Sequence, residues 1–225
     1  MSVLKVITDN MDVILHGLWL TIEFAIIAII LEVIFGLIFA LMRLSKVSVL
    51  RGISTVYVEI FRSTPLLVQL FFIVLGLPAV VPVNEWFGQT SYPLIAAAIT
   101  IGLNEGAYVT EIIRAGILGV DRGQREAAES IGMTGFQTMR YIILPQAFKR
   151  MIPPLVNQAA QTIKDTSLLA PVGVIEMVYT AETVIAETYK AFQIWTVVAV
   201  LYFIVIFAVS KLAAYLERRF QVDKR

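Results

Sequence analysis

The sequence predicts an all-α polytopic membrane protein, with five transmembrane helices in a single domain. Three observations carry this. Of 225 residues, 58% are hydrophobic and only 16% charged, with a mean hydropathy of +0.81; a soluble domain is about half apolar and about a quarter charged. The apolar residues form runs long enough to cross a bilayer, which takes about 20 residues. The 18 lysines and arginines gather in clusters instead of spreading along the chain.

Residues 1–15 are mixed in character and read as interfacial. They lack the basic stretch, short apolar core and small-residue cleavage site of a signal peptide. The first span, residues 16–42, therefore reads as a retained helix. It contains Glu23 and Glu32. A charge at the bilayer centre costs about 3 kcal/mol on an insertion scale, so both should face protein, face a cavity or be protonated. Residues 43–51 form a basic linker. The second span, residues 53–77, is interrupted by Glu59, Arg62 and Pro65. Residues 78–92 form a loop without lysine or arginine. The third span, residues 93–118, contains Gly102, Gly106 and Gly116 and carries Asn104, Glu105 and Glu111.

A polar insert follows at residues 125–145. The fourth span, residues 146–163, tolerates Pro153-Pro154 only if neighbours satisfy the freed backbone groups. Residues 164–190 are too polar in their second half to span. They read as a re-entrant turn, with Pro171 and Gly173, followed by a surface helix bearing Glu176, Glu182 and Glu187. That acidic segment, with the loop over residues 83–92, reads either as a dock for a soluble partner or as a solvated face. The fifth span, residues 191–215, ends in a basic tail.

Charge placement orients the chain. Arg43, Lys46 and Arg51 form one cluster. Arg114, Arg122, Arg125, Arg140, Lys149 and Arg150 form a second, and Lys211, Arg218, Arg219, Lys224 and Arg225 a third. Five spans put all three on one face, and the positive-inside rule makes that face cytoplasmic. The N-terminus then lies outside and the C-terminus inside. Five helices are few to enclose a polar pathway, and no internal repeat is evident, so a second copy or close relative should supply the other wall.

The insert reads as a helix–turn–helix elbow on the cytoplasmic face. Arg125 to Ile131 contains good helix formers. Gly132 supplies a turn that a side chain would resist. Thr134 or Gly135 can start a second short helix, with Ser130 or Thr134 as its cap. Ile131, Met133 and Phe136 provide apolar contacts. The plainer reading is a connector between two spans, but loops of this length are usually functional or disordered. This one is neither poor in hydrophobics nor uniformly charged.

Several function classes are excluded or weakened. With no cysteine and one histidine, His16, neither thiol chemistry nor a histidine or cysteine metal centre is expected. No serine-nucleophile motif is evident, so no catalytic residue and no metal ligand is assigned. The chain also lacks a G-x-x-x-x-G-K-[ST] phosphate loop, so any ATP hydrolysis belongs to another chain.

Glu126-Ala127-Ala128, followed by Gly132 and then by Ile142, Leu144 and Pro145, resembles the EAA loop of binding-protein-dependent ABC importer permeases at every fixed position. Phe61-Arg62-Ser63-Thr64-Pro65-Leu66-Leu67-Val68-Gln69-Leu70 is similar to their second-span segment, with Ser63 where that family often has glycine. Asn104 to Gly116 is similar to their third-span segment, and Lys164-Asp165-Thr166-Ser167-Leu168 also matches. The similarity runs from Gly17 to Arg219. Its last three segments point to the polar amino acid branch (histidine, glutamate, glutamine, arginine and cystine types).

The resemblance implies a type I importer permease fold in a bacterial cytoplasmic membrane. It implies two ATP-binding-cassette ATPase subunits, which carry ATP and magnesium while this chain carries no cofactor. It also implies a second transmembrane subunit, expected to be identical, and an extracytoplasmic amino-acid-binding protein. The remaining expected partners are a polar amino acid substrate and membrane lipid, with no nucleic acid. Coupling to the ATPase would fall on Glu126, Ala127, Ala128, Ser130, Ile131, Gly132, Met133 and Phe136.

The polar stretches also make physical sense as a substrate cavity between spans two, three and four. A zwitterion needs donors for its carboxylate and acceptors for its ammonium. Arg62 offers a forked cation. Ser63, Thr64, Thr166 and Ser167 offer hydroxyls, Glu111 and Asp165 offer acceptors, and Asn104, Asn157, Gln158 and Gln161 offer either. Tyr108 and Lys164 complete the expected substrate-contacting set. Selectivity is expected near Asn157, Gln158 and Gln161, whose neutral amides favour glutamine or another uncharged polar amino acid. The plainer reading makes the charged members ion pairs that hold broken helices together. A different function remains open: a self-sufficient ion-coupled transporter or channel using Glu23, Glu32 and Glu111.

Overall fold

The computed structural model describes residues 3–220, with side chains from residue 7 onward. The first residues of the expected interfacial segment and the last of the basic tail, including Lys224 and Arg225, lie outside the described residues. Among the described residues every regular element is helical. The expected interfacial segment is the start of one unbroken helix, α1, Val3–Leu44. At 1.5 Å per residue its 42 residues reach about 63 Å, twice the roughly 30 Å hydrocarbon thickness.

The second expected span is two helices. α2 covers Ser48–Ser63 and α3 Leu66–Leu70. α3 continues through a π turn, Phe71–Gly76, and a 3₁₀ turn, Leu77–Ala79. The two halves meet at 105°. A short helix, α4 (Val83–Phe87), leads into α5 (Ser91–Leu118). The elbow is α6 (Arg122–Ser130) and α7 (Gly135–Gln137). A π turn, Thr138–Ile143, joins α7 to α8 (Leu144–Asp165). The π turn sits where Pro145, lacking an N–H, would break a regular helix. α8 runs through Pro153 and Pro154, whose freed i−4 carbonyls belong to the exposed Lys149 and Arg150.

The expected re-entrant turn is milder than a reversal. α8 tightens into a 3₁₀ turn, Thr166–Val172, that ends at a left-handed Gly173. α9 (Met177–Thr188) then departs at a 48° bend. It is not a surface helix. Met177, Ala181 and Val184 pack with Ile14 of α1 and with Ile194 and Val198 of α10 (Ala191–Phe220). Glu176 does not belong to an exposed acidic patch either. It is fully buried and caps α9 by accepting from Tyr179 N at 2.8 Å. Its other oxygen meets Thr21 Oγ1 at 3.4 Å and Tyr202 OH at 3.3 Å. Glu182 and Glu187 remain exposed.

By length and apolarity, α1 from Ile7 and α10 can each cross a membrane alone; the two bent pairs qualify only when each is taken as one span. Large apolar side chains such as Ile26, Ile30, Ile34 and Ile38 of α1, and Phe203 and Phe207 of α10, are exposed. That is the surface expected of helices solvated by lipid tails.

α1 packs along α5, and small residues set the spacing. A Cβ built on Gly102 would lie 2.6 Å from Leu31 Cβ, and one on Gly106 2.9 Å from Phe35 Cβ. Both neighbours are stiff stems rather than movable tips, so a side chain here must push the helices apart. Gly102→Val is therefore expected to cost about 1–3 kcal/mol of stability. The check is the thermal midpoint of the detergent-solubilised chain. A midpoint equal to wild type would refute the tight contact.

Candidate functional site

A break in the chain builds the site. Pro65 has no N–H and forces extended backbone on the residue before it. Thr64 accordingly adopts φ −120°, ψ 139°, and α2 stops at Ser63. The last turn of a broken helix leaves carbonyls without helical partners, and side chains take them over. Thr64 Oγ1 donates to Ile60 O at 2.8 Å. Gln69 Nε2 reaches Phe61 O and Thr64 O, both at 3.1 Å. From α5, Asn104 Nδ2 donates to Phe61 O and to Gln69 Oε1, each at 3.0 Å. Asn104 is thus a clamp on the break as well as a wall of the site.

The break opens onto a recess of about 540 Å³. Arg62, Ser63, Thr64, Pro65 and Leu66 line it from the break, Asn104, Glu105 and Tyr108 from α5, and Gln158, Gln161 and Asp165 from α8. The Arg62 guanidinium lies over the Tyr108 ring, 5.1 Å from its centroid, a contact that holds a planar cation without consuming its hydrogen bonds. Glu105 is only 3% exposed. It accepts a hydrogen bond from Gln158 Nε2, and Asp165 lines the same recess. Gln161 Nε2 faces both Asp165 oxygens, at 3.0 and 3.2 Å. Behind this group Glu32, buried in α1, accepts from Thr162 Oγ1 at 2.5 Å. The recess therefore holds one cation and two carboxyl groups, each carboxyl bonded to a glutamine amide.

Of the expected substrate-contacting residues, Arg62, Ser63, Thr64, Asn104, Tyr108, Gln158, Gln161 and Asp165 come together here. Five do not. Glu111 lies two turns beyond Asn104, where Arg43 Nε pairs with it at 3.1 Å and Arg114 Nη2 at 2.8 Å. It is an ion-pair hub between α1 and α5 and lies outside the recess. Asn157 is exposed, one residue and about 100° around the helix from Gln158. Lys164 faces a groove with Tyr202 and Phe203 of α10. Thr166 Oγ1 donates to Ile163 O and Ser167 Oγ to Lys164 O, each at 2.7 Å; both hydroxyls serve the end of their own helix.

Glu105, Pro65, Leu66 and the clamp residue Gln69 belong to the site without being among the expected residues. The available signal for Glu105 was its register. It lies three residues before Tyr108, so the two share one face of α5. Glu23 differs from Glu32: it is exposed, in a shallow apolar groove with Leu20, Phe24 and Leu94.

The elbow is a second, separate site. Asp121 caps α6 by accepting from Gly123 N at 2.6 Å. At its other end Gly132 takes φ +83°. Met133 N reaches Ala128 O at 3.1 Å and Gly132 N reaches Glu129 O at 3.0 Å, the two bonds of a Schellman turn. Thr134 then opens α7 with a reciprocal capping box to Gln137. Ser130 is not the cap, because its hydroxyl bonds back to Glu126 O at 2.8 Å. Gln146 of α8 reaches Gln124 of α6 at 3.2 Å. Ala128 is buried and Met133 half-buried, so these two hold the elbow together. Glu126, Ala127 and Ser130 are exposed, and Ile131 and Phe136 are 80% and 72% exposed. Two large apolar side chains offered to water on a rigid polar element suit a protein contact.

Comparison with known proteins agrees with this architecture. Residues 32–222 match the family described as binding-protein-dependent transport system inner membrane component. The glutamine transport system permease protein of Escherichia coli K12 is 35% identical over 209 residues, covering 92% of this chain and 93% of that one. The crystal structure of an amino acid ABC transporter with histidines superposes with a TM-score of 0.88 at 35% identity, covering 97% of this chain and 99% of that one. An inward-facing methionine ABC transporter superposes at 0.73 with 17% identity, a likeness of fold alone.

Proposed function

Because this chain belongs to the family of binding-protein-dependent transport system inner membrane components, we propose that it is the transmembrane subunit of an ATP-driven importer of a polar amino acid. The observation that carries this reading is the recess. Arg62, Glu105 and Asp165 converge with two glutamine amides at a broken helix, among helices such as α1 and α10 that expose large apolar side chains. Arg62 would take the substrate carboxylate in a forked hydrogen bond. Glu105 and Asp165 would take the ammonium, and Gln158 and Gln161 would meet the side chain. The recess is open beside the exposed Arg62, Ser63 and Gln161. A second copy of the chain would close it.

In this reading five spans cross the bacterial cytoplasmic membrane: α1, the α2–α3 pair, α5, α8 with its continuation, and α10. The N-terminus lies outside and the basic clusters inside. Two ATPase subunits dock on the elbows, and a soluble binding protein delivers substrate to the opposite face.

Glutamine is the first substrate to test, since the amides suit it and the Escherichia coli relative is a glutamine permease. The second carboxyl group supports another choice, a cationic amino acid. Stimulation of ATP hydrolysis by individual amino acids, in the complex reconstituted with its ATPase and binding protein, separates the two. Uptake by this chain alone, driven by an ion gradient, would overturn the importer reading in favour of ion coupling. Asp165→Asn is expected to raise the half-saturating substrate concentration about ten- to a hundredfold, the worth of a charge-assisted hydrogen bond. The rise should be steeper for a cationic substrate than for glutamine. An unchanged value would remove Asp165 from the substrate's path.

A further inference from the structure

A second polar recess, of about 660 Å³, lies where α1 ends, α2 begins and α5 passes. Arg43, Lys46, Arg51 and Arg114 line it together with Ser45, Ser48 and Thr55. The acid beside it, Glu111, is already engaged by Arg43 and Arg114. Among the described residues the Arg51 guanidinium bonds to Ser45 O and Ser48 Oγ, at 3.5 and 3.2 Å. Arg43 Nη1 and Glu111 Oε1 are both buried without a hydrogen-bond partner, in a pair already joined through Arg43 Nε. The 16-residue helix α2 also starts here, and Val47 at its N-cap supplies no side-chain acceptor for the free N–H groups of the first turn. Four cations set against one carboxylate, beside an uncapped helix start, together suit an oxyanion.

The outer face of α2 indicates which one. Val49, Ile53 and Val56 are 69%, 50% and 58% exposed and follow one another up the helix from the recess. A free anion has no use for that apolar strip, whereas acyl chains do. We propose that this recess binds the phosphodiester of an anionic phospholipid, with its acyl chains lying along α2. The inference rests on the membrane-spanning reading above and is independent of the substrate. Because Arg43 and Arg114 connect the recess to Glu111 on α5, a bound headgroup would brace the α1–α5 contact beside the elbow.

Native mass spectrometry of the full-length chain in detergent tests this with added phosphatidylglycerol. Wild type should retain phosphatidylglycerol in preference to phosphatidylcholine. Replacing two recess cations (Lys46→Gln with Arg51→Gln) should weaken retention about thirtyfold, from the contribution of each basic residue near an anionic lipid surface. The matched change Arg218→Gln with Arg219→Gln, at the far end of α10, should leave retention intact. Equal weakening by both pairs would reduce the effect to general charge and overturn the site. So would unchanged retention in the recess variant, equal binding of phosphatidylcholine, or displacement of the lipid by millimolar inorganic phosphate. Thermal midpoints of both double variants, expected to match wild type without lipid, separate lost binding from lost folding.

Discussion

Arg62→Ala is expected to reduce amino acid uptake by at least about thirtyfold while the complex still assembles, as truncating one member of a charge pair commonly costs about 2–5 kcal/mol. Arg62 ends α2 at the break, with its guanidinium over Tyr108 and with no carboxylate within ion-pair distance among the described residues. Its fork is therefore available to a ligand. Arg62→Lys should recover only part of the loss, because an ammonium keeps the charge but not the bidentate geometry. A substrate whose carboxylate is replaced by a carboxamide should show little difference between wild type and Arg62→Ala. The measurement is uptake into vesicles holding the assembled transporter, with subunit stoichiometry checked on the same sample. Uptake at the wild-type rate would remove Arg62 from the substrate path and with it the proposed orientation of the zwitterion.

The break at Pro65 illustrates what a sequence discloses and what it withholds. Proline with flanking polar residues announces an interruption, and the segment from Phe61 to Leu70 carries a recognisable pattern. The 105° angle is different. It depends on Asn104, 43 residues away from Phe61 in the chain, reaching the carbonyl that the break exposes. Such pairing follows from packing rather than local propensity. Glu111 makes the same point in reverse. An acid within an apolar run looks like a functional group, and only the approach of Arg43 from α1 turns it into an ion-pair hub. Glu176 reads as solvated only through its grouping with Glu182 and Glu187, although Ile175 and Met177 flank it. It is buried because its two oxygens together serve the start of α9, Thr21 and Tyr202.

The elbow was the most legible region, for a physical reason. Apart from Gln124–Gln146, its hydrogen bonds are local, closing over two to five residues, so residue types at fixed spacing determine them. The recess was legible in its membership but less so in its balance of charge. Asn104, Tyr108, Gln158 and Asp165 could each be picked out as polar residues in an apolar setting. The position of Glu105 opposite Gln158 required the register between α5 and α8, which short sequence patterns do not encode. That missing carboxyl matters, since it turns a site expected to prefer neutral side chains into one with an excess acid.

Phe136→Asp is expected to abolish co-purification of the ATPase and, with it, substrate-stimulated ATP hydrolysis. Phe136 is 72% exposed on an element whose shape is fixed by a Schellman turn, a capping box and the Gln124–Gln146 bond. Its replacement therefore alters the docking face and leaves the fold alone. An aromatic anchor in an interface is commonly worth about 2–4 kcal/mol or more on truncation, and a buried charge in its place adds a desolvation cost. Gly132 gives a graded companion. A Cβ there meets nothing within 4 Å, but φ is +83°. Gly132→Ala should thus act through strain of about 1–2 kcal/mol rather than through a clash. Gly132→Asn, which tolerates the left-handed region better, should be milder, and Gly132→Trp adds bulk beside Ile131 and should approach the Phe136→Asp phenotype. Pull-down of the ATPase by each variant measures the series. If Phe136→Asp and Gly132→Trp both recover the ATPase at wild-type yield, the elbow is not the coupling surface, and the exposed Ile131 and Phe136 must serve another contact.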